Sequence, residues 1–179
     1  MGDQVKKPLN PAAASAQPFQ VTDLRPTESL FDDAEGRDRL DKALSRYPEK
    51  RAALLPMLGY AQERNGWVSD ENMAEIAGEL DLTPAYVRSV ATFYTMYNKH
   101  PVGRHFIQVC TCISCHLDEA EEVFERFLSE TGTRAGEISE DGKYTVIEAE
   151  CLGACGFATA VQINDRYFEN VTPEKVSAI

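Results

Sequence analysis

Two stretches, HFIQVCTCISCH (residues 105–116) and YTVIEAECLGAC (residues 144–155), share one plan: a short apolar run that breaks off at a pair of cysteines. Phe106-Ile107-Gln108-Val109 reads as the heart of a buried strand over residues 104–109, and Tyr144 to Ala149 as a second strand. Between them a helical pattern puts Leu117, Ala120, Phe124, Phe127 and Leu128 on one face, with Asp118, Glu119, Glu121, Glu122 and Glu125 largely on the other. A strand–helix–strand crossover is right-handed and makes its strands parallel, so both strands end on the same edge of the sheet. Cys110 and Cys151 fall just past those two ends, with Cys115 five residues after the first and Cys155 four after the second. Topology thus gathers four thiols, spread over 45 residues of sequence, on one rim. That arrangement is expected to be a metal site.

Four thiolates suit either zinc or an iron–sulfur cluster. Structural zinc commonly uses C-x-x-C knuckles, in which a tight turn offers two sulfurs to one tetrahedral ion. The pairs here are C-x₄-C and C-x₃-C, wide enough to wrap a binuclear [2Fe–2S] rhomb with two sulfurs on each iron. Main-chain amides near Gly153 and Gly156 could donate to the sulfides, and a helix starting near Cys115 would set partial positive charge beside an anionic centre. The spacing favours the cluster, and a zinc-stabilised adaptor is the alternative. Cys112 and Cys115 also spell C-x-x-C between strand and helix, the position of a dithiol redox motif. That reading leaves Cys151 and Cys155 without a role, so Cys112 is assigned as a non-ligand. His116 is a surface or neighbouring residue, because a Rieske centre needs two histidines on one iron.

Downstream, Ala160-Val161-Gln162-Ile163, the Asn164-Asp165 turn and Arg166-Tyr167-Phe168 read as a hairpin. Thr172-Pro173 caps a last helix through Val176. Upstream, residues 31–98 read as a small bundle of four short helices. Leu40 and Leu44 mark the first. Leu54, Leu55, Met57, Leu58 and Ala61 mark a second, with a kink expected at Pro56 and a stop at Asn65-Gly66. Ser69 caps a third and Thr83-Pro84 a fourth. The aromatic run Phe93-Tyr94-Thr95-Met96-Tyr97 reads as a plug between bundle and sheet, with a partner-facing patch as the alternative. Residues 1–30, with Pro8, Pro11, Pro18 and Pro26, offer no periodic apolar face and read as an unstructured or partner-docking tail. The fold class is therefore α+β: a tail over 1–30, a helical bundle over 31–98, and a mixed-sheet domain over 99–179.

The chain has 179 residues, with 18 Lys and Arg against 29 Asp and Glu, a net charge of −11. That balance excludes a nucleic-acid binder, which needs a basic face, and a peripheral anchor on anionic lipid. No apolar run is long enough to span a bilayer. The acidity is uneven: residues 101–179 hold six basic and fourteen acidic side chains, and all five cysteines. An odd thiol count without a signal peptide argues against a secreted disulfide framework. Neither G-x-G-x-x-G nor a P-loop occurs, so a nucleotide, if used, sits on another chain.

Val109-Cys110-Thr111 through Ser114-Cys115, with Glu150-Cys151-Leu152-Gly153-Ala154-Cys155-Gly156, closely resembles the small [2Fe–2S] subunits of respiratory NADH:quinone oxidoreductases. The likeness runs from about Tyr47 to Ile179 and includes Ala91-Thr92-Phe93-Tyr94, Asp141-Gly142-Lys143-Tyr144-Thr145 and Gln162-Ile163-Asn164-Asp165. Related subunits of NAD-reducing hydrogenases and NAD-dependent formate dehydrogenases share these motifs. The resemblance implies a thioredoxin-like ferredoxin domain behind the helical region, and cluster ligands at Cys110, Cys115, Cys151 and Cys155. It implies FMN and NADH on a partner subunit that exchanges electrons with the cluster, further iron–sulfur subunits in the assembly, and no catalytic residue on this chain. The absence of a convincing transit signal favours a bacterial cytoplasmic protein held by its complex at the inner face of the inner membrane. Three positions depart from the family pattern: Thr159 stands where Pro is usual, and Cys112 and His116 where other residue types are usual.

Overall fold

Capping residues set the helix boundaries. The computed structural model describes residues 27–179, so the tail expected over 1–30 lies outside the described residues as far as residue 26. Its last four residues join the helical core instead. Leu30 is fully buried, its amide donates to Glu75 Oε2 at 2.9 Å, and Thr27 Oγ1 lies 2.8 Å from Ser69 Oγ. Helix α1 (Ala34–Arg46) starts at Asp33, whose Oδ1 accepts the Gly36 amide at 2.8 Å. The other carboxylate oxygen accepts from Arg64 at 2.7 Å, and that guanidinium, followed by the Gly36 amide, holds the Asp33 carboxyl below its ordinary value. Gly36 packs so tightly that a Cβ there would stand 1.7 Å from the Leu30 carbonyl oxygen.

A 3₁₀ turn (Lys50–Ala53) leads into α2 (Leu54–Asn65), which stops at Gly66 in the left-handed region. Pro56 does not kink α2. It occupies the first turn, where an amide has no partner within the helix and none is lost. Helix α3 (Asp70–Glu79) is capped by Ser69 accepting the Asn72 amide, and α4 (Pro84–Phe93) by Thr83 accepting the Tyr86 amide. Leu40, Leu58, Ile76 and Val87 meet in the core of this bundle.

The aromatic run is not a plug. Helix α4 ends at Phe93, which is 78% exposed, and Met96 is 63% exposed. Tyr97 alone of the run is buried, and its hydroxyl donates to the Leu55 carbonyl at 2.9 Å.

Strands β1 (His105–Cys110), β2 (Tyr144–Ala149), β3 (Val161–Ile163) and β4 (Arg166–Phe168) form a mixed sheet in the order β2-β1-β3-β4. β1 runs parallel to β2 and antiparallel to β3, which pairs antiparallel with β4. After β1 come a single turn, α5 (Ile113–His116), and then α6 (Ala120–Thr131). Val123, Phe124 and Phe127 of α6 cover Ile107, Val109, Val146 and Val161, together with Val176. The helix expected from Leu117 is interrupted because Glu119 adopts the left-handed conformation, φ +63°. Leu117 therefore falls outside α6 and is 80% exposed. The expected last helix is a 3₁₀ run, Pro173–Ala178; the Thr172 hydroxyl donates to Glu174 Oε2 rather than capping an amide.

The outer edge of β2 is covered by the chain that precedes it. The Gly136 amide donates to the Val146 carbonyl at 2.8 Å and the Ser139 amide to Tyr144 at 2.9 Å, and Ile138 bridges Thr145. Ser139 is buried; its hydroxyl accepts the Lys143 and Tyr144 amides and donates to Asp141 Oδ1 at 2.6 Å. Ser139→Ala removes the hydroxyl that accepts the Tyr144 amide and shares the Lys143 amide with Asp141 Oδ1, and a loss of about 1–3 kcal/mol in denaturant unfolding is expected. Ser139, with Lys143, holds the Asp141 carboxyl well below the usual carboxylate range. The folded state thus favours ionised Asp141, and its contribution is present above the unfolded pKa near ~4 and lost as pH falls through the folded value. Asp141→Asn is expected to flatten that acid limb of stability, read as Tm against pH.

Candidate metal centre

Cys110 closes β1, pinned there by its amide donating to the Ala160 carbonyl at 3.0 Å. The next amide, that of Thr111, donates to Ala149 at the end of β2, also at 3.0 Å. The two strand ends are therefore tied side by side, as the crossover argument requires. Cys115 is the third residue of α5, and Cys151 lies two residues past β2. Cys155 opens a 3₁₀ turn, Cys155–Phe157. Between the second pair, Gly153 has φ +77°, a conformation that a side chain would strain. Tyr167 of β4 donates its hydroxyl to the Leu152 carbonyl at 2.9 Å and so fastens that loop to the sheet.

The four thiols differ in environment. Cys110 and Cys115 are 2% and 1% exposed and pack with Ala120 and Ala160, whereas Cys151 and Cys155 are exposed. Burial pushes the Cys115 thiol up to about 11. The Ala160 amide, donating to the sulfur, opposes that rise, while the neighbouring Cys110 and Cys155 thiols add to it. Cys115 is thus held in the thiol form at neutral pH, and a metal binding there would have to displace its proton. Among the described residues, no three His, Cys, Asp or Glu side chains stand close enough to cage a single ion.

The helix expected to begin at Cys115 is only the one turn of α5, with α6 beginning at Ala120. Ala120, the first residue of α6, packs beside Cys110 and Cys115, and the Ala160 amide donates to the Cys115 sulfur. Cys112, half-buried, heads α5, and its carbonyl accepts the His116 amide at 2.8 Å. His116 is at the surface with Nδ1 3.6 Å from Glu121 Oε1. Thr159, marked in the sequence only as a missing proline, is fully buried after a cis peptide bond, its hydroxyl donating into the chain beyond Cys115. The sequence contains no signal for Tyr167 beyond its place in a hairpin.

The donor set fits an iron–sulfur cluster in kind. It offers four thiols and no carboxylate, in two pairs at neighbouring strand ends, with an amide already donating to one sulfur. Residues 40–179 match the family described as thioredoxin-like [2Fe–2S] ferredoxin. The chain belongs to this family. Among thioredoxin-like ferredoxins it is 42% identical over 139 residues to a chain of the NADH-quinone oxidoreductase of Rickettsia bellii, covering 76% of this chain and 83% of that one. It is 38% identical over 153 residues to "NADH-quinone oxidoreductase subunit 2" of Thermus thermophilus, covering 84% and 83%. A crystal structure of an NAD⁺-reducing [NiFe]-hydrogenase shares the fold, with a TM-score of 0.61 at 21% identity. That match covers 70% of this chain and about a fifth of the hydrogenase chain, 21%.

Proposed function

We propose that this chain is the electron-transfer subunit of an NADH:quinone oxidoreductase. It would carry one [2Fe–2S] cluster on Cys110, Cys115, Cys151 and Cys155. The observation that carries the reading is the tying of the β1 and β2 ends, which sets both cysteine pairs on one rim. When bound, the cluster supplies a site that takes up and releases one electron. The residues of this chain hold it: Cys110 and Cys115 from within, Cys151 and Cys155 from the exposed side. Gly153 and Tyr167 shape the outer loop. No side chain here breaks or makes bonds in substrate. The oxidation of NADH belongs to a partner subunit bearing FMN and the nucleotide site, within an assembly that contains further iron–sulfur subunits.

Apolar side chains surround the rim in the open: Ile113, Leu117 and Phe157 are exposed. Together with Phe93 and Met96 on the helical region they support a face that partners cover. The proposed division is a helical domain over 31–98 and a ferredoxin domain over 99–179. No described helix is long and apolar enough to cross a membrane, and we place the chain at the cytoplasmic face of a bacterial inner membrane through its complex.

An EPR spectrum before and after dithionite tests the cluster: silence when oxidised and a spin-half [2Fe–2S] signal when reduced are expected. Zinc in place of iron, with silence in both states, overturns the reading. A redox titration of the isolated chain is expected to give a negative midpoint potential. The reduced cluster gains a negative charge inside a region with six basic and fourteen acidic side chains. A clearly positive potential contradicts this account.

A further inference from the structure

Thr159 follows the second cysteine pair in sequence and reaches the chain around Cys115 and Asp118. Its side chain is 0% exposed. The hydroxyl donates to the Asp118 carbonyl at 2.5 Å, with the Cys115 carbonyl as a longer neighbour at 3.4 Å. Its own carbonyl accepts the Val171 amide at 3.0 Å. The next residue is fixed on two sides: the Ala160 carbonyl accepts the Cys110 amide, and the Ala160 amide donates to the sulfur of Cys115. One dipeptide therefore contacts Cys110 by its carbonyl and Cys115 by its amide, and the Thr159 hydroxyl tethers it to the turn after Cys115.

An amide that donates to a ligand sulfur stabilises the more negative, reduced form of an iron–sulfur cluster, and so raises its potential. The strength of that contact depends on how firmly the amide is held. Cys115 belongs to α5 and Asp118 to the turn that follows it, which the left-handed Glu119 separates from the long helix. Without the Thr159 hydroxyl, the Asp118 carbonyl loses the one side-chain donor described for it. We infer that Thr159 is a positioning residue for the cluster: its hydroxyl, by gripping the Asp118 carbonyl, holds the Ala160 amide against the Cys115 sulfur and raises the midpoint potential. The inference rests on Cys115 as a cluster ligand.

The test uses the full chain purified anaerobically with its cluster, as wild type, Thr159→Val and Thr159→Ser, each titrated against potential by EPR. Valine keeps the shape and removes the hydroxyl; serine keeps the hydroxyl. At the wild-type midpoint, Thr159→Val is expected to shift the ratio of oxidised to reduced cluster about tenfold toward oxidised, about 59 mV for one electron. Thr159→Ser is expected to return the potential to the wild-type value. A Thr159→Val cluster with full signal and unchanged potential overturns the inference while leaving the ligand assignment standing. A wild-type chain with no [2Fe–2S] signal overturns the ligand assignment, and this inference with it. If Thr159→Val holds no cluster, Thr159→Ala is titrated in its place, with the same two outcomes. Loss of the cluster in valine and alanine but not in serine supports the hydroxyl's role; loss in all three overturns it.

Discussion

Cys151→Ser is expected to erase the wild-type [2Fe–2S] signal from the reduced chain while leaving its fold intact. Cys151 is exposed and packs in no apolar cluster, so exchanging sulfur for oxygen disturbs no core and circular dichroism is expected to be unchanged. A serine oxygen is a poor substitute for thiolate on iron, and one of the two protein ligands on that iron is lost. The same substitution separates the competing readings. A zinc adaptor would lose metal-bound stability, and a dithiol enzyme working through Cys112 and Cys115 would keep its thiol exchange. Cys112→Ser is the matched control: it is expected to keep the signal, because Cys112 serves as the head of α5. Iron and sulfide analysis with EPR decides the matter, and a full wild-type signal in Cys151→Ser removes this residue from the ligand set.

Gly36→Ala is expected to be the most damaging substitution in the helical region. The new Cβ would stand 1.7 Å from the Leu30 carbonyl oxygen and 2.8 Å from its carbon, both backbone atoms that no rotamer change can move aside. Relief requires Leu30 and Phe31 to lift from the core, where they are buried. It also requires loss of the Leu30 amide's bond to Glu75. A cost of about 3 kcal/mol or more is expected, at the upper end for single substitutions. The apolar cluster of the helices and the one beneath the sheet share no residue. Calorimetry should therefore show an early unfolding transition of the helical region, while the EPR signal of the reduced cluster persists below it. A single transition with unchanged Tm would contradict this.

Local chemistry makes much of the fold legible. Ser69 and Thr83 each cap the helix they precede, Asn65-Gly66 stops α2, and the two apolar runs are parallel strands with cysteines at their ends. The placement of Cys110 and Cys151 follows from strand direction alone. What escapes depends on single dihedral angles or on distant partners. Glu119 in the left-handed region cuts one expected helix in two and turns Leu117 outward. Nothing in the period of apolar residues reports such a break. Leu30 reads as part of a tail because the acceptor of its amide, Glu75, lies beyond the next two helices in sequence. Phe93 and Met96 read as a plug from their apolar character, yet the helical core closes without them. Thr159 is the sharpest case, since the importance of its hydroxyl is apparent only once Asp118 is placed beside it.

The strip of chain lying along β2 also governs how the molecule meets its own kind. A strand at the border of a sheet is a template that another chain can extend. Here residues 136–139 occupy the template from within, and a buried serine hydroxyl fastens the turn that holds them there. On the opposite border, β4 is only three residues long and carries Arg166, which leaves little to copy. Both borders of the sheet thus offer little to a strand from another molecule, while Ile113, Leu117 and Phe157 stay exposed.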